Sequence, residues 1–174
     1  MIQEEPKMGL LSKQEAIVWN EFQRGKSTGT IAEEQEEENL SPAYVSRVLN
    51  RARKKISQAL EEHAESHRLD VESLQDYKGL LIGFDYQANA QVYIVYTETL
   101  GVIVWYRHDS YAGKLCPECP KEAECSEALD AITGEYSIEL RPDEMERPMT
   151  QRSIAIFNKL AAKEIPRYKR KRSE

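Results

Sequence analysis

The stretch that decides the fold is Ser41–His67, SPAYVSRVLNRARKKISQALEEHAESH. Val45, Leu49, Ala52, Ile56 and Leu60 recur every three or four residues, the period of one face of an α-helix. Ser41 is placed to cap that helix, and Pro42 fits its first turn, where a missing N–H costs nothing. Off the apolar stripe, near the helix start, lie Tyr44, Ser46, Arg47, Asn50 and Arg51. The segment 41–60 carries Arg47, Arg51, Arg53, Lys54 and Lys55 and no acid. It is a basic island in a chain of net charge −6. A helix with one apolar face and one cationic face docks on protein with the first and meets a polyanion with the second.

Upstream, LLSKQEAIVWNEFQRG reads as a helix over residues 10–25, with Ser12 and Glu15 spaced as a capping box and Gly25 as its stop. Ile17, Val18 and Phe22 recur at helical spacing, with Trp19 nearby. A shorter helix is predicted from about Thr28 to Glu37, with Ile31 and Ala32 facing inward and a solvated glutamate face. Helix, short helix, turn and basic helix is the order of a helix-turn-helix. Arg and Asn bond bidentately to guanine and adenine edges, so Arg47, Asn50 and Arg51 with Tyr44 and Ser46 are candidate base contacts. Arg53, Lys54 and Lys55 lie further along and are expected to meet phosphates.

Residues 11–56 resemble the helix-turn-helix of LuxR-type regulators and region four of sigma factors. The likeness rests on Ser12, Glu15, Val18, Gly25, Ser27, Ile31 and Ala32, then Ser41, Val45, Leu49, Ala52, Lys55 and Ile56. The segment Glu33–Leu40 is about three residues longer than in those families and is acidic. The resemblance implies double-stranded DNA as partner. A single helix-turn-helix buries little surface, so a homodimer is expected.

Downstream of Leu80 the period changes. LLIGFDYQ, QVYIVYT and GVIVWYR are rich in β-branched and aromatic residues, separated by the turn-like QANAQ (87–91) and ETLG (98–101). They predict a three-stranded antiparallel meander. A short helix is expected at about Ser126–Ile132, a fourth strand at YSIEL (136–140), and a last helix capped by Thr150 and ended by Pro166. The aromatic residues Tyr86, Tyr93, Tyr96, Trp105 and Tyr106 either pack the sheet or line a ligand pocket. The expected fold is thus α+β: an N-terminal helix-turn-helix domain, then a small antiparallel-sheet domain with a cysteine metal loop and a C-terminal helix. The boundaries are a lead-in at 1–9, the helix-turn-helix at 10–62, a helical linker at 63–77, the α+β domain at 78–165 and a basic tail at 166–174.

All three cysteines lie in CPECPKEAEC, Cys116 to Cys125, spaced C-x2-C-x5-C. Clustered thiols without a disulfide framework suit metal binding or redox work in a reducing compartment. Zinc prefers paired knuckles, whereas one compact loop of thiolates suits an iron–sulfur cluster better. CPECPKEAECSEAL is similar to the last three cysteines of WhiB-like iron–sulfur regulators, and the spacing also closes cluster sites of iron–sulfur nucleases in CRISPR adaptation systems. That resemblance implies Cys116, Cys119 and Cys125 as ligands of a [4Fe–4S] cluster. Those families add an upstream cysteine that this chain lacks, and His108 is the best substitute, with Asp109 another. Zinc held with His108 is the alternative, and free thiols or a reversible disulfide a third. His63 and His67 are expected to be solvated.

No apolar run nears the ~20 residues that span a bilayer. The acidic start MIQEEPKMG is no secretory signal, so the expected location is cytoplasmic, with no membrane partner. There is no Gly-rich phosphate loop, nucleophile elbow or Ser/His/Asp set, so no enzyme is expected. Asp143, Glu144 and Glu146 fall in a loop. The sequence therefore predicts a DNA-binding transcription regulator with a redox-sensing iron–sulfur domain, in which loss of the cluster refolds residues 108–126 and repositions paired recognition helices. The alternatives are a zinc-stabilised DNA-binding protein that contacts RNA polymerase, and an accessory nucleic-acid-binding subunit with a structural cluster. The tail Arg167–Arg172 is either a nonspecific nucleic-acid contact or a solubilising end.

Overall fold

The computed structural model describes residues 9–35, 40–71, 79–107 and 122–162. The chain divides into two compact units, Met1–Ile56 and Ser57–Glu174. Helices α1 (Lys13–Gln23) and α2 (Thr28–Glu34) lie in the first unit, and α3 (Pro42–Ser66) runs across the division.

In the first unit each helix start is fixed by a side chain. Ser12 Oγ accepts from the Glu15 amide, and Glu15 Oε1 accepts from the Ser12 amide at 2.9 Å, closing the predicted capping box. Ser27 Oγ caps α2 by accepting from the Thr30 amide at 3.1 Å, and Ser41 Oγ caps α3 through the Tyr44 amide at 3.1 Å. After α1, Gly25 adopts φ +91° while its amide bonds Phe22 O and the Lys26 amide bonds Glu21 O. This paired closure demands the left-handed region that glycine enters freely. Helix α2 ends at Glu34, three residues short of the sequence expectation, because Gln35 leaves the helical region with ψ 40°. The core is Val18, Trp19, Ile31, Ala32, Val45, Val48, Leu49, Ala52 and Ile56, all buried. Burial of each of the larger side chains contributes roughly 1.5–3 kcal/mol.

The second unit is a mixed structure around one antiparallel sheet. Its strands β1 (Asp70–Val71), β2 (Leu80–Asp85), β3 (Ala90–Thr97) and β4 (Gly101–Tyr106) pair in chain order. The sheet has four strands where the sequence predicts a three-stranded meander, because Asp70–Val71 adds a short edge opposite Phe84 and Gly83. Gly83 permits that approach: a Cβ there would stand 3.1 Å from Asp70 O. In β3 every residue from Val92 to Thr97 is buried, the pattern of a strand covered on both faces.

Among the described residues, α4 (Glu122–Glu135), α5 (Pro142–Met145) and α6 (Met149–Ala162) complete this unit together with residues 57–66 of α3. Phe157 of α6 stacks on Tyr93 with ring centres 4.4 Å apart and tilts against Trp105 at 5.8 Å. The strand aromatics Tyr93 and Trp105 are therefore sheet packing. Helix α4 is twice the expected length. The predicted strand 136–140 does not form. Its alternation has another cause: Ser137 turns left-handed at φ 52°, the Ile138 amide bonds Thr133 O, and Tyr136 donates to Tyr96 O at 2.6 Å. Tyr136 and Ile138 are buried as the cap of α4. Helix α6 starts at Met149, before Thr150, with the Arg152 amide on Pro148 O. The expected end at Pro166 lies outside the described residues, as does the tail 166–174.

Candidate nucleic-acid interface

Along α3 the buried stripe is Val45, Val48, Leu49, Ala52 and Ile56. The opposite face is exposed at Ala43, Arg47, Asn50, Arg51, Lys54, Lys55 and Gln58. No carboxylate interrupts it until Glu61 and Glu62. At 1.5 Å per residue the acid-free face from Ala43 to Gln58 is about 22 Å long. Arg47 and Arg51, and Arg51 and Lys55, stand four residues apart on this helix, and such like-charge pairs destabilise it by a few tenths of a kcal/mol each.

The structure sorts the predicted contact residues by what each side chain already does. Arg47, Asn50, Arg51 and Lys54 are exposed. Tyr44 and Ser46 are half-buried. The Tyr44 hydroxyl donates to Gln14 Oε1 at 2.8 Å, and its ring centre lies 5.9 Å from the Arg47 guanidinium carbon. That is the outer limit of a cation–π contact. Tyr44 is thereby tied to α1 and flanks Arg47.

Two cations of the basic island serve the packing of this unit. The Arg53 guanidinium lies 4.7 Å over the Phe22 ring. Lys55 Nζ donates to Glu15 Oε1 at 2.6 Å. Burial raises the Glu15 carboxyl, but hydrogen bonds from Lys55 and from the Ser12 amide and hydroxyl outweigh it, and its pKa falls below the ordinary 4.5. One carboxylate so joins the cap of α1 to the fourth turn of α3. Local periodicity holds no sign of this pair, because its members are 40 residues apart.

On the metal side, Cys125 sits in the first turn of α4 and is half-buried. His108, Asp109, Cys116 and Cys119 lie outside the described residues. Among the described residues no three of His, Cys, Asp or Glu converge as a metal site. His63 and His67 each bond Nδ1 to the carbonyl four residues earlier, Ala59 O at 2.8 Å and His63 O at 2.9 Å. Glu144, expected in a loop, lies instead on helix α5 and is a buried anchor: its Oε1 accepts from Arg141 Nε at 2.6 Å, and Oε2 pairs with Lys159 Nζ at 2.8 Å. Among the described residues no helix is long and apolar enough to cross a membrane.

No protein-family model, curated protein or solved structure matches the chain.

Proposed function

We propose that this protein is a DNA-binding transcription regulator that presents the first four turns of α3 to the major groove. The observation that carries the reading is the acid-free exposed face bearing Arg47, Asn50, Arg51 and Lys54, opposite a fully buried stripe. Unpaired like charges along a helix are relieved by a polyanion, and the arginine and asparagine add base-edge chemistry that a simple phosphate-binding surface lacks. Glu61, Glu62 and Glu65 limit the footprint, since phosphates repel the C-terminal turns of the same helix. The two basic residues engaged with α1, Arg53 and Lys55, set the helix rather than read DNA. A homodimer on paired half-sites is the expected species.

The test is selection of bound duplexes from a random pool, followed by titration of the enriched sequence. The reading expects an enriched motif containing G·C and A·T pairs within two or three steps, and affinity that falls steeply with salt. Retention of no duplex above background at low salt would overturn it.

The cysteines belong to the same proposal as ligands of a [4Fe–4S] cluster, supported by the C-x2-C-x5-C spacing and by Cys125 at the start of a helix. Three cysteines leave one ligand to be supplied, which favours zinc with His108 as the second reading. Visible absorption with iron, sulfide and zinc analysis on protein purified without oxygen separates them. About four irons per chain supports the cluster, and one zinc in colourless protein supports the alternative.

A further inference from the structure

Within the second unit, α4, the 138–140 segment, α5 and α6 enclose an open groove of 270 Å³. Leu129 and Ile156 form its buried floor, and Ile138, Leu140 and Met145 its apolar walls. Met145 is 60 % exposed, far more than a core methionine. Two opposite charges lie on different elements of this lining: Asp130 on α4 and Arg152 on α6. Among the described residues they do not pair with each other, and neither has another ion-pair partner. Arg152 also lies in the first turn of the 14-residue helix α6, whose positive dipole end adds to its attraction for an anion.

We infer that this groove binds a free α-amino acid with an apolar side chain. The carboxylate meets the Arg152 guanidinium, the ammonium meets Asp130, and the side chain fills the space over Leu129 and Ile156. The charge pattern sets the class. A fatty acid would answer Arg152 and leave Asp130 without a partner, and an apolar amine would answer Asp130 and leave Arg152 without one. A zwitterion satisfies both, and 270 Å³ accommodates a leucine- or phenylalanine-sized molecule. No residue of α3 lines the groove, so this inference stands independently of the DNA reading.

The experiment is calorimetric titration of the full chain with L-leucine and L-phenylalanine, beside 4-methylpentanoate and isopentylamine as single-charge analogues. The inference expects saturable binding of at least one amino acid in the roughly micromolar-to-millimolar range. Arg152→Gln and Asp130→Asn should each weaken it by about tenfold or more, as should removal of either charge from the ligand. Leu140→Trp fills the groove while keeping both charges and should abolish binding; it tests the site should Arg152→Gln fail to fold. No saturable binding of either amino acid overturns the inference, and so does binding that Asp130→Asn and Leu140→Trp leave unchanged. Equal affinity for 4-methylpentanoate overturns the zwitterion assignment.

Discussion

Glu15 does three things at once. It caps α1, it is buried, and it holds Lys55 of α3 at 2.6 Å. Glu15→Ala removes the reciprocal cap and the anchor together and should cost about 1–2 kcal/mol in urea unfolding. Lys55→Ala should cost less, about 0.5–1 kcal/mol, because that side chain is still 46 % exposed. The pH dependence follows from the direction of the shift. A carboxyl whose folded pKa is depressed contributes stability that is present above its unfolded pKa and lost as pH falls through the folded value. Glu15 and Glu144 both lie below 4.5, Glu144 chiefly through the hydrogen bond from Lys159 and then that from Arg141, against some burial. Stability should therefore fall below about pH 4.5, and Glu15→Gln and Glu144→Gln should each flatten that fall in acid titration followed by circular dichroism. An equally steep acid transition in both variants contradicts the assignment. The capping half of Glu15 was legible in the spacing S-x-x-E. The Lys55 half was not, nor was the different service of Arg53 and Lys54, since identical charges in one run are sorted only by what the fold places beside them.

At the scale of elements, two helix ends keep left-handed residues that carry a Cβ. Arg68, at φ 54° after α3, sits where the Leu69 amide bonds Ala64 O. Ser137, at φ 52°, ends α4 in the same way. Glycine tolerates this conformation, whereas an L side chain crowds the next carbonyl. Arg68→Gly and Ser137→Gly should each raise thermal stability by up to about 1 kcal/mol, opposite to the usual effect of a new glycine. At Gly83 the sign reverses: Gly83→Val drives a Cβ toward Asp70 O and should detach β1, read as faster amide exchange at Val71. Unchanged exchange there would contradict the packing. Strong local signals were readable in these elements: the serine caps at Ser12 and Ser41, the Gly25 stop, the α3 stripe and the β-branched runs of β2, β3 and β4. β1 escaped notice because two residues make no pattern. Tyr136–Leu140 misled because alternation also arises where a chain leaves a helix across a core.

At the scale of the molecule, charge is distributed by position. An acidic chain keeps five basic residues and no acid over residues 41–60, and the structure turns four polar side chains of that run to solvent on one face of α3. The sequence contained the run but not the allocation within it, which required the partners contributed by α1. The groove under Met145 was illegible for the same reason, since its lining comes from three helices and a connecting segment. For the cysteines, Cys119→Ser should strip bound metal whereas Arg47→Ala/Arg51→Ala should leave it in place; retention of full metal content in Cys119→Ser would refute their role as ligands. The most direct test of the central claim is a salt-dependent anisotropy titration of duplex DNA with the wild-type chain and with Arg47→Ala/Arg51→Ala. The account predicts an unchanged circular dichroism spectrum, affinity reduced by at least about tenfold, and a salt slope shallower by as much as about two. Equal affinity and an equal slope in the double variant would contradict it.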